Sequence, residues 1–212
     1  MYKRQSETAS LLDEGKIVGL IGGDHSTPLG FIQTLADRHD SFGILQIDAH
    51  MDLREAYEGF TYSHASIFHN ALQLPSVKKL VQVGIRDFCD AEFERSQSDT
   101  RIDTHTMGMI RGKKFDGINW SSYVDQLVES LPEKVYISFD IDGLDPNFCP
   151  NTGTPVPGGL DFYEATFLIK KIVAAKKEII GFDLSEVAGL GNDWDGNVGA
   201  RILYKLCGAI LS

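Results

Sequence analysis

Short apolar runs alternate along this chain with longer amphipathic stretches. Ile17–Ile21, Phe42–Ile47, Leu80–Ile85, Lys134–Phe139 and Ile179–Leu184 read as buried strands. Thr27–Arg38, Ser63–Leu74, Asp87–Ser96, Ser121–Leu131, Phe162–Ala175 and Asn197–Leu211 read as helices. Pro28 suits a first helical turn, where its missing N–H is not needed. Tyr163, Phe167 and Ile169–Val173 recur near helical spacing and form a core-facing stripe. Strands alternating with helices predict parallel strands joined by crossover helices. The expected fold is α/β, a three-layer α/β/α sandwich around a mainly parallel sheet, in a single domain over 1–212. Asp142–Leu160 is the longest irregular stretch, of the kind that carries function. Asp103–Asn119 shows no clear period.

Composition narrows this only slightly. A chain of 212 residues with 42% hydrophobic and 24% charged positions can bury a core. A net charge of -10 argues against nucleic-acid binding, which needs a basic surface. The three cysteines, Cys89, Cys149 and Cys207, form no CxxC pair and fit a reducing compartment. Neither a leader nor an apolar run of bilayer length is evident, so the expectation is a cytoplasmic protein without a membrane partner.

Acids and histidines gather where three of the strands end, which is where open parallel sheets bind ligands. Gly22-Gly23-Asp24-His25-Ser26 follows the first strand. Taken alone it reads as a strand-to-helix turn with an exposed histidine. Asp48-Ala49-His50-Met51-Asp52 follows the second strand, and Asp48, His50 and Asp52 project to one side of an extended chain. Ser138-Phe139-Asp140-Ile141-Asp142-Gly143-Leu144-Asp145-Pro146 follows a later strand, with Asp140 and Asp142 on one face and Asp145-Pro146 as turn chemistry. Uncompensated buried carboxylates are costly and call for a cation. Two histidines and four aspartates exceed one tetrahedral zinc site and suit two divalent ions. Oxygen-rich ligation favours manganese, with cobalt, nickel or iron also possible.

These three segments, in this order, resemble the metal-binding signatures of the ureohydrolase (arginase/agmatinase) family. Weaker similarity covers Thr152–Pro155 and Asp183–Val187. The resemblance implies the arginase-type fold and two Mn2+ ions per chain. His25, Asp48, Asp52 and Asp140 would hold one ion, and Asp48, His50, Asp140 and Asp142 the other. It implies hydroxide attack on a guanidinium carbon and departure of an amine, with Asp52 passing a proton. His64 would shuttle protons, Glu186 would grip the guanidinium, and Thr154 would border the substrate. The implied substrate is a small cationic or zwitterionic guanidino or amidino compound, and the implied assembly is a trimer or hexamer. It also implies further N-terminal sequence, so the domain is expected to be N-terminally incomplete.

The segment 54–63 lacks the Asn/Thr-rich character of arginases, while Tyr62-Ser-His-Ala-Ser66 is more similar to agmatinases. Agmatine hydrolysis to putrescine and urea, a step of polyamine biosynthesis, therefore ranks first. Formimidoylglutamase and guanidino-acid hydrolase follow. A metallophosphoesterase would need further Gly-Asp and Gly-Asn-His motifs on later strands, which the sequence does not show. A catalytically inactive metal-binding fragment stays open. His39, His69 and His105 read as surface histidines. Tyr57 and Glu58 read equally as facing the substrate tail or as solvated loop, and Trp194 as a rim residue or a packing anchor.

Overall fold

The computed structural model describes residues 2–189 and 193–211. Among these, six strands form one sheet: β1 (Gly19–Ile21), β2 (Phe42–Ile47), β3 (Val77–Ile85), β4 (Ile102–Thr106), β5 (Lys134–Asp140) and β6 (Glu178–Ser185). Their order is β1-β6-β5-β2-β3-β4, and every neighbouring pair is parallel. The helices are α1 (Tyr2–Asp13), α2 (Leu29–Ala36), α3 (Ile67–Ala71), α4 (Asp90–Ser98), α5 (Met107–Phe115), α6 (Trp120–Ser130), α7 (Phe162–Ala174) and α8 (Trp194–Ile210).

The strand period of two sorts the core into two layers. Leu45 and Ile47 of β2 pack with α5 to α8, whereas Phe42 and Ile44 pack with α2 and α3. Both faces are therefore covered, as a parallel sheet requires, and the three-layer sandwich is observed. From β2 the chain winds outward through β3 to β4; it then returns to β5 and winds the other way through β6. The loops after β2 and β5 consequently diverge at adjacent strands, leaving the crevice in which such sheets bind ligands.

Four elements depart from what the sequence predicts. Helix α1 has no clear apolar stripe because it is held to α2 largely by polar contacts. Gln5 Nε2 donates to Gln33 Oε1 at 2.7 Å, and Arg38 pairs with Asp13 at 2.8 Å. Strand β4 (Ile-Asp-Thr-His-Thr) is a half-buried edge strand, so its side chains do not alternate cleanly. Helix α5 carries Gly108 and Gly112, which weaken its helical signature; the Thr106 side chain caps it by accepting from the Met109 amide. The stretch Ser63–Leu74, expected as one helix, is a short 3-10 turn (His64–Ser66) running into α3. Among the described residues, no helix is long and apolar enough to cross a membrane.

Candidate metal centre

The ends of β1, β2, β5 and β6 bring the predicted residues together. Gly143 is essential to this approach, because a Cβ there would lie 2.6 Å from the Asp48 backbone nitrogen. The loops after β2 and β5 can therefore lie side by side. They are then tied: the Ala49 amide donates to Asp142 Oδ1 at 3.0 Å, and the Asp142 amide donates to Asp140 Oδ1 at 2.9 Å. The His50 amide donates to Asp48 Oδ1 at 2.7 Å.

Two donor groups result. His25 Nδ1 lies 3.0 Å from Asp48 Oδ2, 3.1 Å from Asp52 Oδ2 and 3.2 Å from Asp140 Oδ2. His50 Nδ1 lies 3.2 Å from Asp142 Oδ2 and 3.6 Å from Asp48 Oδ1. The sets His25–Asp48–Asp140 and Asp48–His50–Asp142 each converge closely enough to hold an ion, and Asp48 belongs to both. Histidine 25, read alone as an exposed turn residue, is 1% exposed. Its Nδ1 sits among three oxygens yet makes a hydrogen bond to none of them. Its Nε2 lies 3.0 Å from Ser138 Oγ, whose single proton goes to Asp183 Oδ2 at 2.7 Å. Ser138 must therefore accept from Nε2–H, which leaves Nδ1 as the nitrogen facing the carboxylates.

The electrostatics follow from packing four carboxylates in a dry site. Burial would lower the His25 pKa, but Asp140, Asp48 and Asp52 outweigh it and hold it well above its usual value. His50 is pushed up to about 11, burial being outweighed by Asp142 and Asp48. Burial and the charge of Asp48 push Asp52 up to about 7. Burial, then Asp142 and Asp48, raise Asp140 well above the carboxylate range. Asp48 goes the other way: burial opposes ionisation, but His25 and His50 overcome it and keep the group charged. The cluster thus gathers protons where it lacks other positive charge.

A cavity of about 140 Å³ opens beside this cluster, lined by residues that include His50, Asp52, Tyr57, His64, Asp87 and Thr154. The His64 side chain is 42% exposed; its Nδ1 lies 3.3 Å from Asp24 Oδ2 and its ring packs edge-on against Tyr57. Thr154 donates to Asp142 Oδ2 at 3.2 Å, so it also braces a carboxylate of the cluster. Glu186 does not line the cavity; it joins the site through the His25 amide, which donates to Glu186 Oε1 at 2.9 Å. Asp52 (φ 53°) and Glu186 (φ 61°) are two of four non-glycine residues with left-handed backbone among those described. Such strain concentrates where geometry serves a site.

Several other readings are refined. Trp194 Nε1 donates to Asn147 O at 2.8 Å, and Asp195 Oδ2 accepts from the Asn151 amide at 2.9 Å, so both tether the 142–160 loop to the start of α8. Tyr57 faces the cavity, while Glu58 does not line it. His39, His69 and His105 are half-buried instead of surface residues. Gln46, Gln82 and Asp183 had no role in the sequence-based expectation, although each is a fully buried polar residue that interrupts an apolar stretch of its strand. That interruption was the available signal.

Comparison with known proteins agrees with this geometry. The Arginase family profile matches residues 1–208, and the chain belongs to that family. It is 32% identical over 206 residues to N(1)-aminopropylagmatine ureohydrolase of Thermus thermophilus, covering 96% of this chain and 66% of the relative. It is 39% identical over 193 residues to the enzyme of the same name from Thermococcus kodakarensis, covering 90% and 61%. The crystal structure of agmatine ureohydrolase of Thermoplasma volcanium superposes with TM-score 0.80 at 26% identity, covering 97% of this chain and 66% of that one. The chain therefore spans somewhat under two thirds of the length of the relatives it matches.

Proposed function

We propose that this chain carries a two-metal hydrolase centre that cleaves a C–N bond of a linear guanidino compound. The favoured substrates have an amine-bearing tail, agmatine or an N-substituted agmatine, and would yield urea and the free amine. The supporting observation is His25 Nδ1, buried and within 3.2 Å of three carboxylate oxygens at once, with no well-directed hydrogen bond to any one of them. Donor atoms aimed at a common point instead of at one another fit a cation.

His25, Asp48, Asp52 and Asp140 would hold one ion, and Asp48, His50, Asp140 and Asp142 the second. Carboxylate-dominated ligation favours manganese over thiolate-preferring metals. Bound there, the ions would supply Lewis acidity and bring the pKa of water down to about 7. The remaining roles fall to the side chains. Asp52 would accept a proton and release it to the departing amine; its Oδ2 is turned to His25, so Oδ1 would carry the proton. His64 at the cavity mouth would exchange protons with solvent. Glu186, with Oε1 held by His25, would offer Oε2 to the guanidinium. Thr154 would border the substrate.

Asp87 favours a cationic tail: it is a largely exposed acid on the cavity wall, with one oxygen 3.7 Å from His50 Nε2 and the other free to meet an ammonium group. Arg54 is already engaged, its Nε lying 3.5 Å from Glu92 Oε2 and its guanidinium over the Tyr57 ring. The second reading, a guanidino-acid or formimidoylglutamate hydrolase, takes Arg54 as the partner of a carboxylate tail. The test is urea release by manganese-loaded protein on agmatine, N(1)-aminopropylagmatine, arginine and 4-guanidinobutyrate, with formamide release from formimidoylglutamate in parallel. Turnover of the amine-tailed pair supports the first reading, and turnover of the acids supports the second. Two bound ions with silence on every substrate would instead support a non-catalytic metal-binding chain.

A further inference from the structure

One transverse row of the sheet is polar. Asp183, Ser138, Gln46, Gln82 and Thr104 are neighbours in register across β6, β5, β2, β3 and β4. The first four are 0% exposed. A parallel sheet covered on both faces should be apolar at this level, and a buried amide is costly unless every polar atom is bonded. The row divides into two hydrogen-bonded halves. Asp183 and Ser138 end on His25, as described above. The other half runs the opposite way and ends on Asp48.

From its outer end, the Thr104 hydroxyl donates to Gln82 Oε1 at 2.7 Å. Gln82 Nε2 donates to Gln46 Oε1 at 2.6 Å and to Met51 O at 2.8 Å. Gln46 Nε2 donates to Asp48 Oδ2 and to His50 O, each at 2.9 Å. The direction of each bond fixes the next. The carbonyl oxygens of His50 and Met51 can only accept, so each glutamine must turn its NH2 toward the 48–52 turn and its oxygen away. Gln46 therefore presents a donor to Asp48. Asp48 Oδ1 is held separately by the His50 amide at 2.7 Å. With both oxygens anchored, Oδ2 faces the His25 group and Oδ1 faces the His50 group.

We infer that Gln46 and Gln82, oriented by the His50 and Met51 carbonyls and with the Gln82 oxygen held by the Thr104 hydroxyl, are positioning residues that splay the Asp48 carboxylate between the two donor groups. The inference rests on the two-metal reading. Of the two carboxylates proposed to serve both ions, Asp48 is the one that already belongs to both donor groups, so its orientation governs how well the second ion binds. Without the Gln46 donor the carboxylate can turn toward a single group, and the second ion is lost preferentially. Partners that orient metal ligands change metal affinity by about 10- to 100-fold when removed.

The test is calorimetric titration of the metal-free chain with Mn2+, before any assay of turnover. The wild type should take two ions. Gln46→Leu and Gln82→Leu should bind the first ion nearly as well and the second about 10- to 100-fold more weakly. Thr104→Val, on the half-buried edge strand, should also weaken the second ion, whereas Thr104→Ser should restore it by returning the hydroxyl. Should either glutamine variant fail to fold, the Thr104 pair decides. Two ions bound by every variant with wild-type affinity would overturn the inference and leave the two-metal reading standing. Equal losses in Thr104→Val and Thr104→Ser would also overturn it. A wild type that binds no Mn2+ would remove the two-metal reading, and the inference with it.

Discussion

The backbone amide of His25 donates to Glu186 Oε1 at 2.9 Å, and the Glu186 amide donates in turn to Gly23 O at 2.7 Å. The two bonds lock the end of β6 to the turn after β1 and hold Glu186 in its left-handed conformation. Burial, partly offset by the His25 amide, raises the Glu186 pKa. Glu186→Gln keeps an oxygen for the His25 amide but removes the charge. The expected outcome is full metal content and a kcat/KM lowered roughly 10- to 100-fold on a cationic guanidino substrate, the scale of a lost charge-assisted hydrogen bond. Kinetics beside metal analysis checks this. An unchanged kcat/KM would take Glu186 out of substrate binding.

The His/Asp cluster was legible in the sequence because its residues sit at fixed offsets from strand ends. Asp48, His50 and Asp52 share a side through the strand period, and Asp140 and Asp142 repeat the device. His25 was harder to read, since its burial depends on Ser138, Asp183 and Phe68, which arrive from distant parts of the chain. Pairings of that kind carry no local signature. Gln46 and Gln82 stayed unread for the same reason: their amides are satisfied across strands, 36 positions apart. Helix α1 and strand β4 were unreadable because polar contacts, not an apolar stripe, define them. Thr154 was placed beside substrate, yet its bond to Asp142 gives it a bracing role as well.

Asp48 is shared between both donor groups and Asp140 stands against His25, so losing either should cost more than one ligand. Asp48→Ala and Asp140→Ala are expected to bind at least one manganese fewer per chain than the wild type. Asp48→Ala also removes an ionised partner from one buried and one half-buried imidazole, which would lower the pKa of His25 and His50 in the metal-free protein. Elemental analysis of purified, manganese-saturated protein reads the first effect, and histidine NMR titration reads the second. Full metal content in both variants would overturn the ligand assignment.

Protons and metal ions compete for the cluster, and the sign can be worked out. Asp52 has a folded pKa of about 7, above its ordinary value of 3.8. Between those values the folded metal-free chain keeps a proton that the unfolded chain has released, so this group lowers stability as pH rises through the window. His50 is raised from 6.5 to about 11. Its contribution is complete below pH 6.5 and disappears as pH climbs through about 11. A cation relieves the Asp52 penalty only where that carboxyl has ionised. Mn2+ should therefore raise the melting temperature little near pH 5 and much more near pH 8. Thermal melts with and without Mn2+ at the two pH values test this. An equal shift at both would mean that the ion does not meet these acids.

His64 is set apart from the donor groups. It lines the cavity with Asp52 but is 42% exposed, and its polar neighbour is Asp24, 3.3 Å away on the turn that carries His25. A group so placed can reach both cavity and solvent without contributing to metal affinity. His64→Ala should keep the wild-type metal content and melting temperature, because little buried surface is lost. Turnover should fall by roughly 10²-fold or more, the scale of a lost general acid–base group. Imidazole added to the variant should recover part of the rate, since the opened cavity mouth admits it. Asp24→Asn should have a smaller effect of the same kind, because it removes an orienting partner and leaves the imidazole in place. An unchanged rate in His64→Ala would reject the shuttle and leave proton transfer to Asp52 alone, whereas loss of metal in that variant would move His64 into the ligand set.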